Sequence, residues 1–536
     1  MNTIVRTQHG LVKGTTSLDY DEELFYCFYG IPYGKPPIGE LRFKAPVDIE
    51  NWTGVKDCTE VKDGCFSRHI FTMKFTGSED CLHLNVYTKE LNAEAKKPVF
   101  VWIHGGAFVT GSGNPDVFGP EFLITQNIVI VTLTYRLGPL GFLCLEDTSL
   151  EVPGNAGVKD VLMGLKWVHK NIRNFGGDDS NITIAGQSAG AIMVNFMMLS
   201  PLAKGLFHKA IMQSACALQN WALGKREGAK ELAERLGLKS ESEKEILEFL
   251  RGVEVEKLLR ASQKIRILRN DMYGDNIMCY NPVIEKPNPG AVITEPPLLK
   301  ILRGDYNKVP LLMGYTSNEG LYADFLIKGM TVLIDDFEKM VPHTLQLPKG
   351  SEASKMIAAK IQQFFFKDSP ATIEHKDKYM KMGSGLFFSY PVYRIARHMV
   401  DNLNHPIYFY RFSIDAKLNL YKLARKFKAN GASHTDDTCY LFKTMFTPEI
   451  SPGSVEDVAV RKITKLWGNF IKFGKPVLSK TDPVTQIDWK PIQKDEFNFV
   501  DIQNDRLVPG KNPDETSMIF WDDIYKLDPL YAKHKL

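Results

Sequence analysis

The chain has 536 residues and a formal net charge of +3, with 44% hydrophobic and 24% charged residues. That is an ordinary globular composition, and no basic or acidic block marks a nucleic-acid partner or an anionic membrane. No apolar run approaches the roughly 18 residues of a spanning helix. The opening MNTIVRTQHGLVKG lacks the apolar stretch of a secretory signal, so a cytoplasmic location is expected. The eight cysteines are scattered, with no CxxC pair, and no HExxH or carboxylate cluster appears. No metal and no cofactor is therefore expected, and the cysteines are expected to be reduced thiols.

The first forty residues alternate short extended runs with turns, among them Gly30-Ile-Pro-Tyr-Gly34. The stretch Ser78 to Tyr87 opens polar and then alternates like a half-buried strand. Pro98 to Ile103 and Asn127 to Tyr135 are continuous apolar runs of strand length, which suits strands covered on both faces. Asn155 to Asn174 carries apolar residues at helical spacing and is stopped by Gly176-Gly177-Asp178. Asn181 to Ala185 reads as a short buried strand and Ala191 to Leu199 as a helix. Lys209 to Met212, Val309 to Met313 and Pro406 to Phe412 are further strands, and Asp457 to Phe473 is a late helix. Stretches 227–268 and 322–401 are charged and helical in pattern and read as insertions over the sheet; Phe364 to Phe366 reads as core of that cap, with a membrane-contact face as the alternative. Strands alternating with helices predict an α/β fold, a large mostly parallel sheet with helices on both faces, in one domain over 1–536.

Between the strand at 181–185 and the helix at 191–199 lies Gly186-Gln187-Ser188-Ala189-Gly190, the G-x-S-x-G pattern of a nucleophile elbow in the context that the motif demands. It predicts Ser188 exposed at a strand's carboxyl end. A serine needs a base and an acid that orients the base. Glu319 follows the strand 309–313 in a turn-rich loop, where catalytic groups of open α/β sheets collect. Among the later histidines, His434 lies in the small-residue loop Gly431-Ala-Ser-His-Thr-Asp-Asp437, whereas His375 and His398 lie in charged or helical runs and read as surface residues. Ile103-His-Gly-Gly-Ala-Phe108 also follows a buried strand, so the N–H groups of Gly106 and Ala107, with that of Ala189, are candidates for an oxyanion hole.

Taken in order, SEDCLHLN at 78–85, HGGAF at 104–108, YRLGPLGFL at 135–143, PGNAG at 153–157, GQSAG at 186–190, PVIE at 282–285 and the Glu319 and His434 loops resemble the type B carboxylesterases, the cholinesterase-like family. Within that family the chain is most similar to insect α-esterases. The resemblance covers nearly the whole chain, and it implies the α/β-hydrolase fold, with the helical insertions over an active-site gorge. It implies Ser188, Glu319 and His434 as triad, and Gly106, Ala107 and Ala189 as oxyanion hole. Trp221, Met278 and Tyr280 would wall an apolar substrate pocket, with ordinary core packing as the alternative. Arg42 with Glu79, and Arg136 with Asp160, would be structural ion pairs, and Cys65 and Cys81 match the family's first disulfide, though reduced thiols are expected in a cytosolic protein. The expected activity is hydrolysis of uncharged, apolar carboxylic esters, xenobiotic or lipid-like, with organophosphates as inhibitors and detoxification or insecticide resistance as the setting. Gln187 stands where most members carry Glu, and Ala107 where most carry a third glycine. Gln at that position is typical of juvenile hormone esterases, which makes hormone hydrolysis an alternative; stoichiometric scavenging with slow turnover is another. Oligomeric state is left open.

Overall fold

The structure is a computed structural model in which residues 3–268, 280–321, 327–402, 404–427 and 429–530 are described, without side chains over 264–268. Its strands are β1 (Ile4–Arg6), β2 (Leu11–Lys13), β3 (Thr15–Leu18), β4 (Leu24–Pro32), β5 (Val55–Asp57), β6 (Ser67–Arg68), β7 (Phe75–Thr76), β8 (His83–Thr88), β9 (Lys97–Ile103), β10 (Val129–Leu133), β11 (Gly177–Gln187), β12 (Lys209–Gln213), β13 (Leu311–Thr316), β14 (Ile407–Phe412), β15 (Asn498–Ile502) and β16 (Leu507–Lys511). An 11-stranded sheet runs in the order β16-β15-β14-β13-β12-β11-β9-β10-β8-β4-β3. From β15 through β10 neighbouring strands are parallel, while β8, β4 and β3 at one margin and β16 at the other pair antiparallel. This is the large, mostly parallel sheet that the alternation of strand and helix predicts.

Side-chain alternation in the central strands divides the apolar residues between two cores. Val99, Val101 and Ile103 of β9 enter one, with Val158, Val161, Leu165 and Val168 of helix Ala156–Asn171. Phe100 and Trp102 enter the other, with Ile463, Leu466, Trp467 and Phe470 of helix Val455–Phe473. Helices thus cover both faces, which is why the parallel strands read as continuous apolar runs.

Two strands differ from their sequence reading. β8 begins at His83, lies between β10 and β4, and is buried along nearly its whole length rather than half-buried. Asn85 produced the alternating pattern, but it is a buried hub: its amide donates to Gly113 O and Thr132 Oγ1, both at 3.1 Å, and its carbonyl accepts Gly30 N–H at 2.9 Å. β11 starts at Gly177, the residue read as a stop; a register shift between Gly177 and Ile182 lets Gly177 pair with Lys97.

The 227–268 stretch forms helices Ala229–Leu236, Glu243–Gly252 and Val255–Leu268. The stretch from 327 to 401 includes helices Glu352–Phe365, Lys376–Ser384 and Tyr390–Val400. Phe366 is fully buried and Phe364 stacks on Phe520 at 4.1 Å, so this aromatic run packs against the helix Glu515–Tyr525 rather than facing outward. Both ion pairs implied by the resemblance are present. Arg42 holds Glu79 through two nitrogens at 2.7 and 2.8 Å, and Arg136 holds Asp160 at 2.6 and 2.8 Å. Cys65 and Cys81 are joined in a disulfide, not reduced as the sequence reading had them. The family's bridge outweighs the argument from compartment, since the two Cα atoms lie 4.8 Å apart, within bridging reach. Cys27, Cys58, Cys144, Cys216 and Cys439 are free and buried.

Candidate active site

Strand β11 ends at Gln187, and helix Ala189–Leu199 begins one residue later. Ser188, in between, takes φ 57° and ψ −126°, a sparsely populated conformation for a side-chain-bearing residue that costs of order 1–3 kcal/mol and persists only where surroundings impose it. Here Ser188 N–H donates to Gln213 O at the end of β12 (2.9 Å), and Ser188 O accepts Ile192 N–H (3.1 Å). The flanking glycines allow the turn to close. A Cβ on Gly186 would lie 2.4 Å from the Gly190 carbonyl carbon, and one on Gly190 would lie 2.0 Å from Ile103 O. Ser188 is buried, with 6% of its surface accessible. The exposed position read from the motif is corrected: His434 Nε2 lies 2.9 Å from its Oγ, and a Cβ on Gly105 of the HGGAF loop would lie 3.1 Å from its Cβ.

The structure brings together Ser188, just after β11, Glu319, just after β13, and His434, in the long connection that follows β14. His434 Nε2 lies 2.9 Å from Ser188 Oγ, and its Nδ1 lies 2.5 Å from Glu319 Oε2. Glu319 Oε1 accepts Thr316 N–H at 2.8 Å. Asn318 N–H donates to Ala432 O at 3.0 Å, which ties the acid's loop to the histidine's. With Nδ1–H given to the carboxylate, Nε2 is left as acceptor for the serine hydroxyl. Gln187 reaches the same atom: its Nε2 lies 3.2 Å from His434 Nε2 and donates to Thr435 Oγ1 at 3.1 Å. His375 and His398, on other elements, are both half-buried rather than fully exposed.

The HGGAF loop packs directly on the elbow. A Cβ on Gly105 would meet Gln187 O at 2.6 Å and Ser188 Cβ at 3.1 Å. Gly106 (φ 116°), Ala107 (φ 53°) and Phe108 (φ 61°) turn in left-handed conformations, and Gly106 O closes the loop by accepting Val109 and Thr110 N–H. Among the described residues, the N–H groups of Gly106, Ala107 and Ala189 donate to no protein acceptor, which leaves them available to an anion. Ala107 holds a positive φ that a glycine adopts freely and that costs alanine about 1–2 kcal/mol. His104 is buried, stacks on Tyr135 at 4.3 Å and hydrogen-bonds Gly105 O at 2.8 Å; burial pushes it down to about 4, so it serves as a neutral prop.

Two carboxyls follow His434 in the same loop. Asp436 accepts Ser433 N–H at 2.8 Å, and Asp437 accepts the Gln213 amide at 2.7 Å and the Tyr410 hydroxyl at 3.1 Å. Burial is the main cause that raises both, Asp436 to about 8 and Asp437 to about 6, the charge of Glu319 adding to the second. Of the pocket candidates, Trp221 lies beside the site, 6.3 Å from the ring of Phe108 and 6.2 Å from that of Phe388. Tyr280 is buried in the larger core and its hydroxyl donates to Gly228 O. Met278 lies outside the described residues. Phe388, whose ring sits 4.4 Å from that of His434, was not found from sequence. It belongs to a helical run in which spacing alone does not separate it from core phenylalanines.

A family model described as "Carboxylesterase family" matches residues 1–521. The chain belongs to the carboxylesterase family. It is 31% identical to esterase B1 of Culex pipiens, over 98% of this chain and 99% of that one. It is 32% identical to a juvenile hormone esterase of Tribolium castaneum, over 97% and 91%. In structure it resembles the juvenile hormone esterase of Manduca sexta, with OTFP covalently attached, at a TM-score of 0.86 and 27% identity over 98% and 100% of the two chains. The protein is a carboxylic ester hydrolase of the α/β-hydrolase fold, and its substrates are small-molecule esters. Among the described residues of the esterase, no helix is long and apolar enough to cross a membrane.

Proposed function

We propose that the esterase works through an acyl-enzyme on Ser188 and prefers uncharged, apolar esters. The observation that carries this reading is the unbroken chain of hydrogen bonds from Ser188 Oγ through His434 to Glu319. His434 Nε2 takes the serine proton as Oγ attacks the ester carbonyl. The carbonyl oxygen becomes an oxyanion on the N–H groups of Gly106, Ala107 and Ala189, worth about 3 kcal/mol for each donor. The alcohol leaves with the proton from His434, and a water molecule repeats the sequence on the acyl group. Glu319 orients the imidazole and offsets its transient charge. Phe108, Trp221 and Phe388 supply aromatic rather than charged surroundings, which suits apolar acyl groups. Organophosphates are proposed as stoichiometric ligands, because a phosphoryl oxygen fits the same donors.

The test is Ser188→Ala with 1-naphthyl butyrate, together with intact-mass measurement after a paraoxon pulse. Turnover falls at least a hundredfold with an unchanged melting temperature, and the wild-type chain gains one adduct on the peptide containing GQSAG. Turnover that survives the substitution, or an adduct elsewhere, overturns the reading. A second reading, juvenile hormone hydrolysis, is favoured by Gln187 and by the relatives that bear that name. A kcat/KM panel of naphthyl esters of increasing acyl length, a juvenile hormone and acetylthiocholine separates the two.

A further inference from the structure

We propose that Ser384 and Phe388 are positioning residues, through which one broken helix holds both the acid and the base of the triad. The proposal rests on the triad reading above. Helix Lys376–Ser384 runs into a π-helical turn, Gly385–Ser389, before helix Tyr390–Val400 resumes. Such a turn inserts one residue into the helical register and is frequent where a side chain must be re-aimed at a functional site. The sequence gives a reason for it. Pro391 has no N–H, so Phe387 O lacks its ordinary donor four residues on. The indole N–H of Trp221 takes that carbonyl at 3.1 Å, and the Gln219 amide takes Phe388 O at 3.4 Å.

Ser384, at the end of the first helical part, accepts Gly320 N–H on its Oγ at 2.7 Å and donates to Met380 O at 3.0 Å. Gly320 follows Glu319 directly, and a Cβ there would lie 1.9 Å from Met380 O, so the acid's loop rests on this helix. Four residues after Ser384, the Phe388 ring lies over the imidazole of His434, at 4.4 Å with a tilt of 42°. The serine fixes the peptide unit next to the carboxylate, and the phenyl ring stops the imidazole from swinging away from Ser188. One helical element therefore touches both the acid's loop and the base.

Valine and threonine, isosteric with each other, isolate the hydroxyl. Ser384→Val is expected to lower kcat for 1-naphthyl butyrate about fivefold to tenfold with KM within twofold, and Ser384→Thr to restore most of it. In a Glu319→Gln background the loss from Ser384→Val is expected to shrink below twofold, because a residue that acts through Glu319 has nothing left to position. Phe388→Leu is expected to lower kcat in the same way, with Phe388→Tyr restoring it, and to lose its effect in a His434→Ala background. Equal fold-losses in both backgrounds, or losses in KM alone, overturn the proposal while leaving the triad intact. A Glu319→Gln chain with undiminished kcat overturns the triad reading instead. If Ser384→Val melts early, the comparison of Ser384→Thr with Ser384→Ala at a temperature where both are folded carries the same test.

Discussion

Gln187 and His434 meet through an amide nitrogen and an imidazole nitrogen 3.2 Å apart. A carboxylate in that place would favour the imidazolium, since an opposite charge within ~4–6 Å raises a histidine's affinity for protons by about one unit or more. Gln187→Glu is therefore expected to move the acid limb of the kcat/KM profile upward by about one pH unit, less at high salt. A profile for 1-naphthyl butyrate at two salt concentrations checks it; an acid limb that stays put or moves downward contradicts it. Asp437 offers a test of stability instead. Its carboxyl is raised to about 6 by burial, so between an ordinary value near 4 and about 6 the folded chain holds a proton that the unfolded chain has released. Stability accordingly falls as pH rises through that window, leaving a cost of order 3 kcal/mol at neutral pH. Asp437→Asn keeps an acceptor for Gln213 and Tyr410 without the charge. Its melting temperature is expected to match wild type near pH 4 and to exceed it at pH 7; curves that run parallel across the range rule this out.

At the scale of elements, the strand–elbow–helix unit was legible because three local signals agree. An apolar strand, a glycine-flanked serine and an apolar helix follow one another, and the glycines are required by close backbone approach. The boundaries were less legible: β11 extends beyond its apolar segment through backbone pairing with β9, which side-chain pattern does not report. The burial of β8 was misread for a related reason, since Asn85 looks like a solvent-facing residue until its three hydrogen bonds are seen. The loop closed by Cys65 and Cys81, with a sequence separation of 16, belongs to this scale too. Closing a loop of that length removes denatured-state entropy worth about 3 kcal/mol. Cys65→Ala/Cys81→Ala is expected to lower unfolding stability by about that amount in denaturant titrations, and a reductant to bring the wild-type chain to the same midpoint. An unchanged midpoint would show that the loop is held by its packing alone.

Across the whole molecule, buried Arg42 joins regions far apart in sequence. Besides Glu79, its guanidinium donates to the carbonyls of Leu250 (3.1 Å), Arg251 (3.0 Å) and Val253 (2.6 Å), where helix Glu243–Gly252 ends. It therefore neutralises a carboxylate and caps a helix of the covering layer at once. Arg42→Met is expected to cost about 3 kcal/mol or more, since it strands Glu79 and three carbonyls. Amide exchange over 243–253 is expected to rise more than in the central strands; uniform exchange would show that the covering helices do not depend on this link. The sequence by itself marked the α/β sheet, the elbow with Ser188 and the HGGAF loop, because each sits in a segment whose short-range pattern of glycines and apolar runs is distinctive; Glu319 and His434 were candidates from their loops, singled out by the family resemblance. Tertiary structure alone decided that Ser188 is buried, that Gln187 touches the imidazole, that Asp437 is held by Gln213 and Tyr410, and that Phe388 lies on His434. Those depend on contacts between residues 27 to 247 positions apart, one of them made from a shifted helical register. Nothing in the spacing along the chain records which distant side chain will close the remaining face of a site.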